Sequence, residues 1–353
     1  MKILALAKYD SEAASTRQRI LQFSEPFARA GLELECQALL GNDYVRSLAQ
    51  GRPVSRTRII GSYWKRMKAL VAEPRADIYW VYADLFPYLP AAIDHLLFRL
   101  QRPVVIDWDD AFFERYAQHP SSFVRMLFAN KLDRLLARAD AITCGNRYLY
   151  EYAGRYRAQR LIVPTVVDTE KVRPAEGRHS TPPVIGWIGS ASTWPYVRPH
   201  LPLLRRLVAE GKARVLVVGA GQAGRADGGG GLEFRDWSEE REIADLQAMD
   251  IGIMPVPDHS WERGKSGYKL VQYMATGLPC VASPVGANCD IVVDGGTGIL
   301  ATSGDEWEGA LRKLIDDPGL ARELGNAGRR RTIELYSLAS QSPRLIELFR
   351  SLR

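Results

Sequence analysis

Residues 250–301 read DIGIMPVPDHSWERGKSGYKLVQYMATGLPCVASPVGANCDIVVDGGTGILA, and this stretch decides the fold class. It opens on a short apolar run, 251–254, of the kind a strand buried on both faces requires. A basic loop follows, Arg263-Gly264-Lys265-Ser266-Gly267. The apolar spacing then changes to that of a helix over 268–276, until Gly277 stops it and Pro279 prevents its resumption. A second apolar run, 280–282, comes next, and a glycine-rich turn leads to a third at 298–300. Strand, helix and strand in succession demand a parallel sheet with a crossover.

The same alternation extends outward in both directions. Apolar runs stand at 3–7, 34–39, 78–82, 104–106, 141–144 and 161–163, then at 184–188, 214–218 and 232–234. Helical stretches separate them, among them 16–30, 56–71, 123–139, 200–210, 239–249 and 305–315. A chain of 353 residues suits two domains of ordinary size. The polar, proline-rich EGRHSTPP at 176–183 reads as the linker between them. The expectation is an α/β chain: two tandem, doubly wound Rossmann-like domains, 1–168 and 180–335, facing a central cleft. Ligands of such sheets sit beyond the carboxyl ends of the strands.

Cys36, Cys144, Cys280 and Cys289 are scattered without a CxxC pair, which argues against a zinc site and a disulfide framework. The opening MKILALAKYD carries too short an apolar run for a signal peptide, and no stretch approaches the ~20 apolar residues of a membrane span. The expected location is the cytoplasm. The excess positive charge lies in one half. Residues 1–168 hold 24 Lys and Arg against 18 Asp and Glu, and residues 169–353 hold 23 of each. Such a bias attracts nucleic acid, anionic lipid or an acidic substrate, or is simply a solvated surface. Residues 56–68, RTRIIGSYWKRMK, mix cations with Ile, Tyr, Trp and Met. They are a candidate seat on the inner face of a membrane, or a helix packing an apolar stripe on the sheet.

Chemistry-bearing positions come next. In the basic loop two cations and free backbone N–H groups meet at a helix start, which makes an anion site. Arg263, Lys265, Gly267, Tyr268 and Lys269 belong to it, with Gln272 on a neighbouring part of the helix. The strand 184–188 ends in Gly189-Ser190-Ala191-Ser192-Thr193, where glycine admits a ligand close to the backbone and the hydroxyls can donate to phosphate. Ser and Thr there are equally ordinary helix caps. Arg17 and Arg19 enter after the first strand and can meet an acidic acceptor, or be a solvated helix start. Asp107-Trp108-Asp109-Asp110 has carboxylate spacing that can hold a cation. Its other reading is one aspartate capping a helix and another orienting a substrate hydroxyl. Residues 219–224, GAGQAG, match a dinucleotide fingerprint. The expected helix is missing after them, since Arg225-Ala226-Asp227 run into four glycines, so a mobile loop is expected there.

GKSGYKLVQYMATG at 264–277 and PCVASPVG at 279–286 resemble the donor-site segment of glycosyltransferase family 4, retaining enzymes of the GT-B fold. VIGWIGSAST, DIGIMP, GTGILA, VVIDWDDA, ADAITCGNRYL and IVPTVVD support the resemblance, which covers nearly the whole chain. It implies a nucleotide-diphosphate-sugar donor bound by the second domain and a glycan or lipid-linked acceptor bound by the first. It implies transfer with retention, without metal, cofactor or nucleic acid, in cell-surface polysaccharide or glycoconjugate synthesis. It also implies that residues 336–353 form a helix returning to the first domain. Lys265 and Lys269 would then stabilise the leaving diphosphate, Gln272 would hold the ribose, and Asp109 or Asp110 would orient sugar or acceptor. The family usually carries two glutamates eight positions apart around this helix. Gly264 and Gln272 stand there instead. A catalytically inactive nucleotide-sugar-binding homologue is therefore the alternative.

Overall fold

The computed structural model describes residues 1–49, 51–72, 76–175 and 180–353. The chain divides into two compact units. The first comprises Met1–Thr165, Arg263–Ser266 and Gln341–Arg353; the second comprises Val166–Glu262 and Gly267–Ser340. The second unit thus opens before position 168, because Val167 bonds into it: its N–H donates to Tyr336 O, and its carbonyl accepts from Leu338 N. Residues 176–179 of the expected linker lie outside the described residues.

The first unit is a six-stranded parallel sheet in the order β2-β1-β3-β4-β5-β6. Its strands are β1 (Lys2–Tyr9), β2 (Glu33–Leu40), β3 (Ile78–Tyr82), β4 (Val104–Trp108), β5 (Ala141–Cys144) and β6 (Gln159–Ile162). β3, β4 and β5 are buried throughout; β3 is an unbroken apolar run, while buried Asp107 in β4 and Thr143 in β5 interrupt theirs. The chain order reverses around β1, whose neighbours are β2 and β3, so the switch point of this sheet lies there. The helix Leu338–Ser351 closes one face, with Phe349 packed edge-on against Phe27 and Trp80 at 5.6 and 5.3 Å.

The second unit repeats the design in the order β12-β11-β10-β7-β8-β9. Its strands are β7 (Val184–Ile188), β8 (Arg214–Val218), β9 (Leu232–Arg235), β10 (Ile251–Met254), β11 (Cys280–Ala282) and β12 (Ile299–Leu300). Here β7 is the reversal strand, between β8 and β10. Apolar cores fill both faces of the sheet.

Some expected helices are broken. Residues 16–30 form Ala14–Arg19, a 3-10 turn at Leu21–Phe23, and Ser24–Arg29. Residues 123–139 form Ser122–Phe128 and Lys131–Leu136. The GAGQAG stretch is not a loop: Gly221–Ala226 is a six-residue helix. Gly219 (φ 83°) and Gly221 (φ 63°) occupy the left-handed region before it, and a Cβ on Gly219 would stand 2.1 Å from Gly189 O. These glycines serve a turn and a close backbone approach. Asp236, the acid a dinucleotide would need, is paired with Arg225.

Helix Arg56–Ala72 also departs from expectation. Arg66 points inward and is 1% exposed, donating to the carbonyls of Ala7, Gln37 and Leu85. Burial lowers its guanidinium to about 9. Ile60, Trp64 and Val71 face out instead, alongside Lys65 and Lys68. Among the described residues no helix is long and apolar enough to cross a membrane.

Candidate functional site

In the second unit the site is built on the carboxyl ends of β7 and β10. Helix Tyr268–Ala275 is fixed to both by Tyr273: Ile188 N donates to its phenolic oxygen at 3.1 Å, and its hydroxyl donates to Ile253 O at 3.3 Å. One turn earlier on the same face lies Lys269. Its ammonium sits 5.8 Å from the Trp187 ring centroid, and its Cε would stand 2.8 Å from a Cβ on Gly189. The same Cβ would stand 2.4 Å from the Trp187 ring, so a side chain at 189 would force that ring to shift, and the lysine stem covers the turn after the switch-point strand.

That turn is organised by its own hydroxyls. Thr193 Oγ1 accepts from Ser190 N and donates to Ser190 O, so its hydroxyl closes the turn. Ser190 and Ser192 remain exposed with their hydroxyls 2.9 Å apart. The helix start carries no side-chain cap, and Gly267 precedes it at φ 65°. A Cβ on Gly267 would stand 2.4 Å from Ile291 Cδ1 in a left-handed backbone, so any other residue there is strained. Tyr268 packs part-buried on the core. Gln272 is 4% exposed, and among the described residues no side-chain hydrogen bond reaches its amide.

The basic loop is divided between the units. Arg263, Gly264, Lys265 and Ser266 pack with the first. There Asn146 Nδ2 donates to Arg263 O and Lys265 O at 3.2 and 2.9 Å, while its Oδ1 caps the helix Arg147–Ala153. A Cβ on Gly264 would stand 2.6 Å from Ala111 N. This backbone approach leaves no space for a carboxylate side chain at position 264.

The aspartates at the end of β4 and just after it separate by role. Asp107 is fully buried and takes a two-point ion pair from Arg19, at 2.6 and 2.9 Å, plus the Thr143 hydroxyl. Arg19 is itself 1% exposed and also donates to Val163 O. It is not available to an acceptor. An arginine in a short helix after a strand reads as solvent-facing in sequence, yet this one neutralises a core carboxylate. Arg17 donates to the carbonyls of Ser11 and Glu12. With Asp107 committed to Arg19, it cannot join Asp109 on a cation. Among the described residues no three metal-ligating side chains gather anywhere. The helix Phe112–Ala117 has no side-chain cap, so neither aspartate caps it. Asp109 accepts from Tyr82 Oη at 2.8 Å. Burial raises its carboxyl above the usual range against the pull of Arg19, and the charge of Asp107 adds to the rise. Asp110 is half-buried, and its carbonyl accepts from Phe112 N.

Residues 182–317 match the family model described as Glycosyl transferases group 1. That stretch is a group 1 glycosyltransferase domain. It contains the Gly189 turn, Lys269 and Gln272. Among curated relatives, the MMP alpha-(1->4)-mannosyltransferase of Mycolicibacterium hassiacum is 29% identical over 204 residues, 53% of this chain and 47% of that protein. The D-inositol 3-phosphate glycosyltransferase of Kineococcus radiotolerans is 28% identical over 260 residues, 59% of this chain and 58% of that protein. The matches span about half the length of these relatives. Among solved structures, Anabaena HepE in complex with UDP-glucose superposes with a TM-score of 0.73 at 14% identity, over 99% of this chain and 100% of that one. With the two parallel six-stranded sheets, this likeness makes the fold GT-B.

Sequence reasoning passed over one group of residues in the first unit, at the ends of β1 and β3. Lys8 and Tyr9 end β1, and the ammonium of Lys8 stands 4.7 Å from the Tyr9 ring centroid. Ala83 and Tyr88 after β3 hold φ of 66° and 60°, the left-handed region for residues that are not glycine. The only signal in the sequence was the proline-flanked turn Pro87-Tyr88-Leu89-Pro90.

Proposed function

We propose that this chain is a retaining glycosyltransferase that moves a sugar from a nucleotide-diphosphate sugar to a glycan or lipid-linked acceptor in the cytoplasm. The observation that carries the reading is Lys269 laid over the Gly189 turn, at the switch-point strand of a group 1 glycosyltransferase domain. Negative charge grows on the diphosphate as the sugar–phosphate bond breaks. A fixed ammonium and uncapped helix N–H groups stabilise that charge more in the transition state than in the ground state. Exposed Ser190 and Ser192 are placed to donate to the same phosphates, and the unengaged amide of Gln272 suits a ribose hydroxyl. HepE, in complex with UDP-glucose, supports a donor of this class. Asp109, whose carboxyl burial raises above its ordinary value, is suited to hydrogen-bond a sugar hydroxyl. The outward Ile60, Trp64 and Val71 with Lys65 and Lys68 support contact with an anionic membrane surface, where glycoconjugate precursors are built.

The test is release of nucleoside diphosphate from UDP-, GDP- and CDP-sugars, with and without EDTA. We expect release in both conditions. We expect Lys269→Met to slow it by about 10²–10³-fold, the usual effect of removing one transition-state donor. Unchanged turnover in Lys269→Met refutes the assignment. Thermal stabilisation by a nucleotide sugar without any release identifies a binding subunit instead.

A further inference from the structure

The first unit has a second concentration of function-bearing residues, at its own switch point. Lys8 lies at the carboxyl end of β1, the reversal strand, and Tyr88 lies in the loop after its neighbour β3. Arg115 comes from the helix Phe112–Ala117 that follows β4. Lys8 is partly buried, and Arg115 is close enough for their charges to repel. Asp84 is the acid that attracts Lys8, but it is already paired with Lys131 and accepts from Tyr116 Oη. Among the described residues neither Lys8 nor Arg115 has a carboxylate within salt-bridge distance; Arg115 rests on the Phe112 ring at 5.1 Å. Burial, with Arg115 adding, lowers the Lys8 ammonium to about 8. Two neighbouring cations, half withdrawn from water and lacking a counter-ion, form an incomplete electrostatic arrangement.

Tyr116, next to Arg115 in the chain, meets an aromatic group held under strain, Tyr88. Tyr88 is 48% exposed at φ 60°. Its backbone N–H donates to Tyr116 Oη at 3.0 Å, and its ring meets Tyr116 and His119 edge-on at 5.5 and 6.2 Å. Tyr9 stacks on Tyr44 at 6.0 Å, and Tyr44 is within electrostatic reach of Tyr88. Non-glycine residues kept in the left-handed region are strained and cluster where ligands bind. Here the surroundings enforce the strain to present an aromatic face outward.

We propose that this switch point is an acceptor subsite for a sugar ring bearing an anionic group, phosphate or carboxylate, with Lys8 and Arg115 holding the charge and Tyr88 the ring. The word acceptor rests on the transferase reading; the binding does not.

The full-length chain tests it by acylation of Lys8 with an amine-reactive acetyl ester at pH 7.5, mapped by peptide mass spectrometry. An amine titrating at about 8 is about one quarter neutral there, against about 0.1% for an ordinary lysine, so Lys8 labels early. The probes are glucose 6-phosphate, glucuronate, glucose, inorganic phosphate and phosphatidylglycerol vesicles. At millimolar concentration one of the two anionic sugars slows labelling about fivefold or more, and glucose does not. Arg115→Leu weakens that protection about tenfold, and Tyr88→Ala abolishes the preference for the sugar anion over inorganic phosphate. Equal protection by glucose, protection by vesicles alone, or no protection by either anionic sugar overturns the proposal. If donor hydrolysis is present while Lys8 stays unprotected, only the subsite falls. If Lys8 is protected without hydrolysis, the binding stands and the transferase reading falls.

Discussion

Replacing Asp94 with asparagine should change how stability depends on pH, because this carboxyl is held in an unfavourable place. Asp94 is 1% exposed, and neither oxygen receives a hydrogen bond. Lys131 Nζ stands 3.5 Å from Oδ2 but is directly paired with Asp84. Burial drives the Asp94 carboxyl up to about 7; Lys131 opposes the rise and Asp84 adds to it. An unfolded aspartate titrates near 3.9. Between about pH 4 and 7 the folded chain therefore holds a proton that the unfolded chain has released, and stability falls as pH rises through that window. The slope is about 1.4 kcal/mol per pH unit, or about 4 kcal/mol in all, with no further loss above the folded value. The amide of the variant does not titrate and lacks this slope. Urea unfolding of both proteins at pH 4.5, 5.5, 6.5 and 7.5, followed by tryptophan fluorescence, reads the effect. The stability of Asp94→Asn relative to the native chain should rise by about 3 kcal/mol from pH 4.5 to 7 and then level off. A difference independent of pH would refute the reasoning.

Two further outcomes follow from the packing. Arg19→Met leaves Asp107 buried without its partner and should cost about 3–5 kcal/mol in urea unfolding, and adding Asp107→Leu should restore part of the loss. In Gly325→Ala the new Cβ would stand 2.1 Å from Gly277 O, a backbone atom that cannot swing aside. We expect about 1–3 kcal/mol or more of destabilisation, seen as a lower thermal midpoint.

The strands were the most legible part of the sequence. β3, β5, β7, β8, β10 and β11 have the bounds their apolar runs indicate, because strands covered on both faces stay apolar nearly throughout. Helices were less legible. The break after Arg19 comes where Ile20 leaves helical geometry at φ −125°, and no glycine or proline marks it in sequence. Lys269 could be picked out because its neighbours in sequence, Gly267 and the helix start, are its neighbours in space. Lys8, Tyr88 and Arg115 could not, since only the strand order gathers residues so far apart in the chain. Arg19 was misread for the same reason: its partner is 88 residues away. The absence of a side chain at 264 was visible, but its cause, the backbone of Ala111, was not.

The phenol of Tyr273 has a consequence for how such a site can diversify. By bridging the last peptides of two strands it sets the depth at which the helix rides, and thereby how far the ammonium one turn upstream can extend. Reach is thus specified in the interior, whereas the serines of the neighbouring turn contribute nothing to it. Those serines are free to change without moving the helix, while the Lys269 ammonium stays where the core has put it.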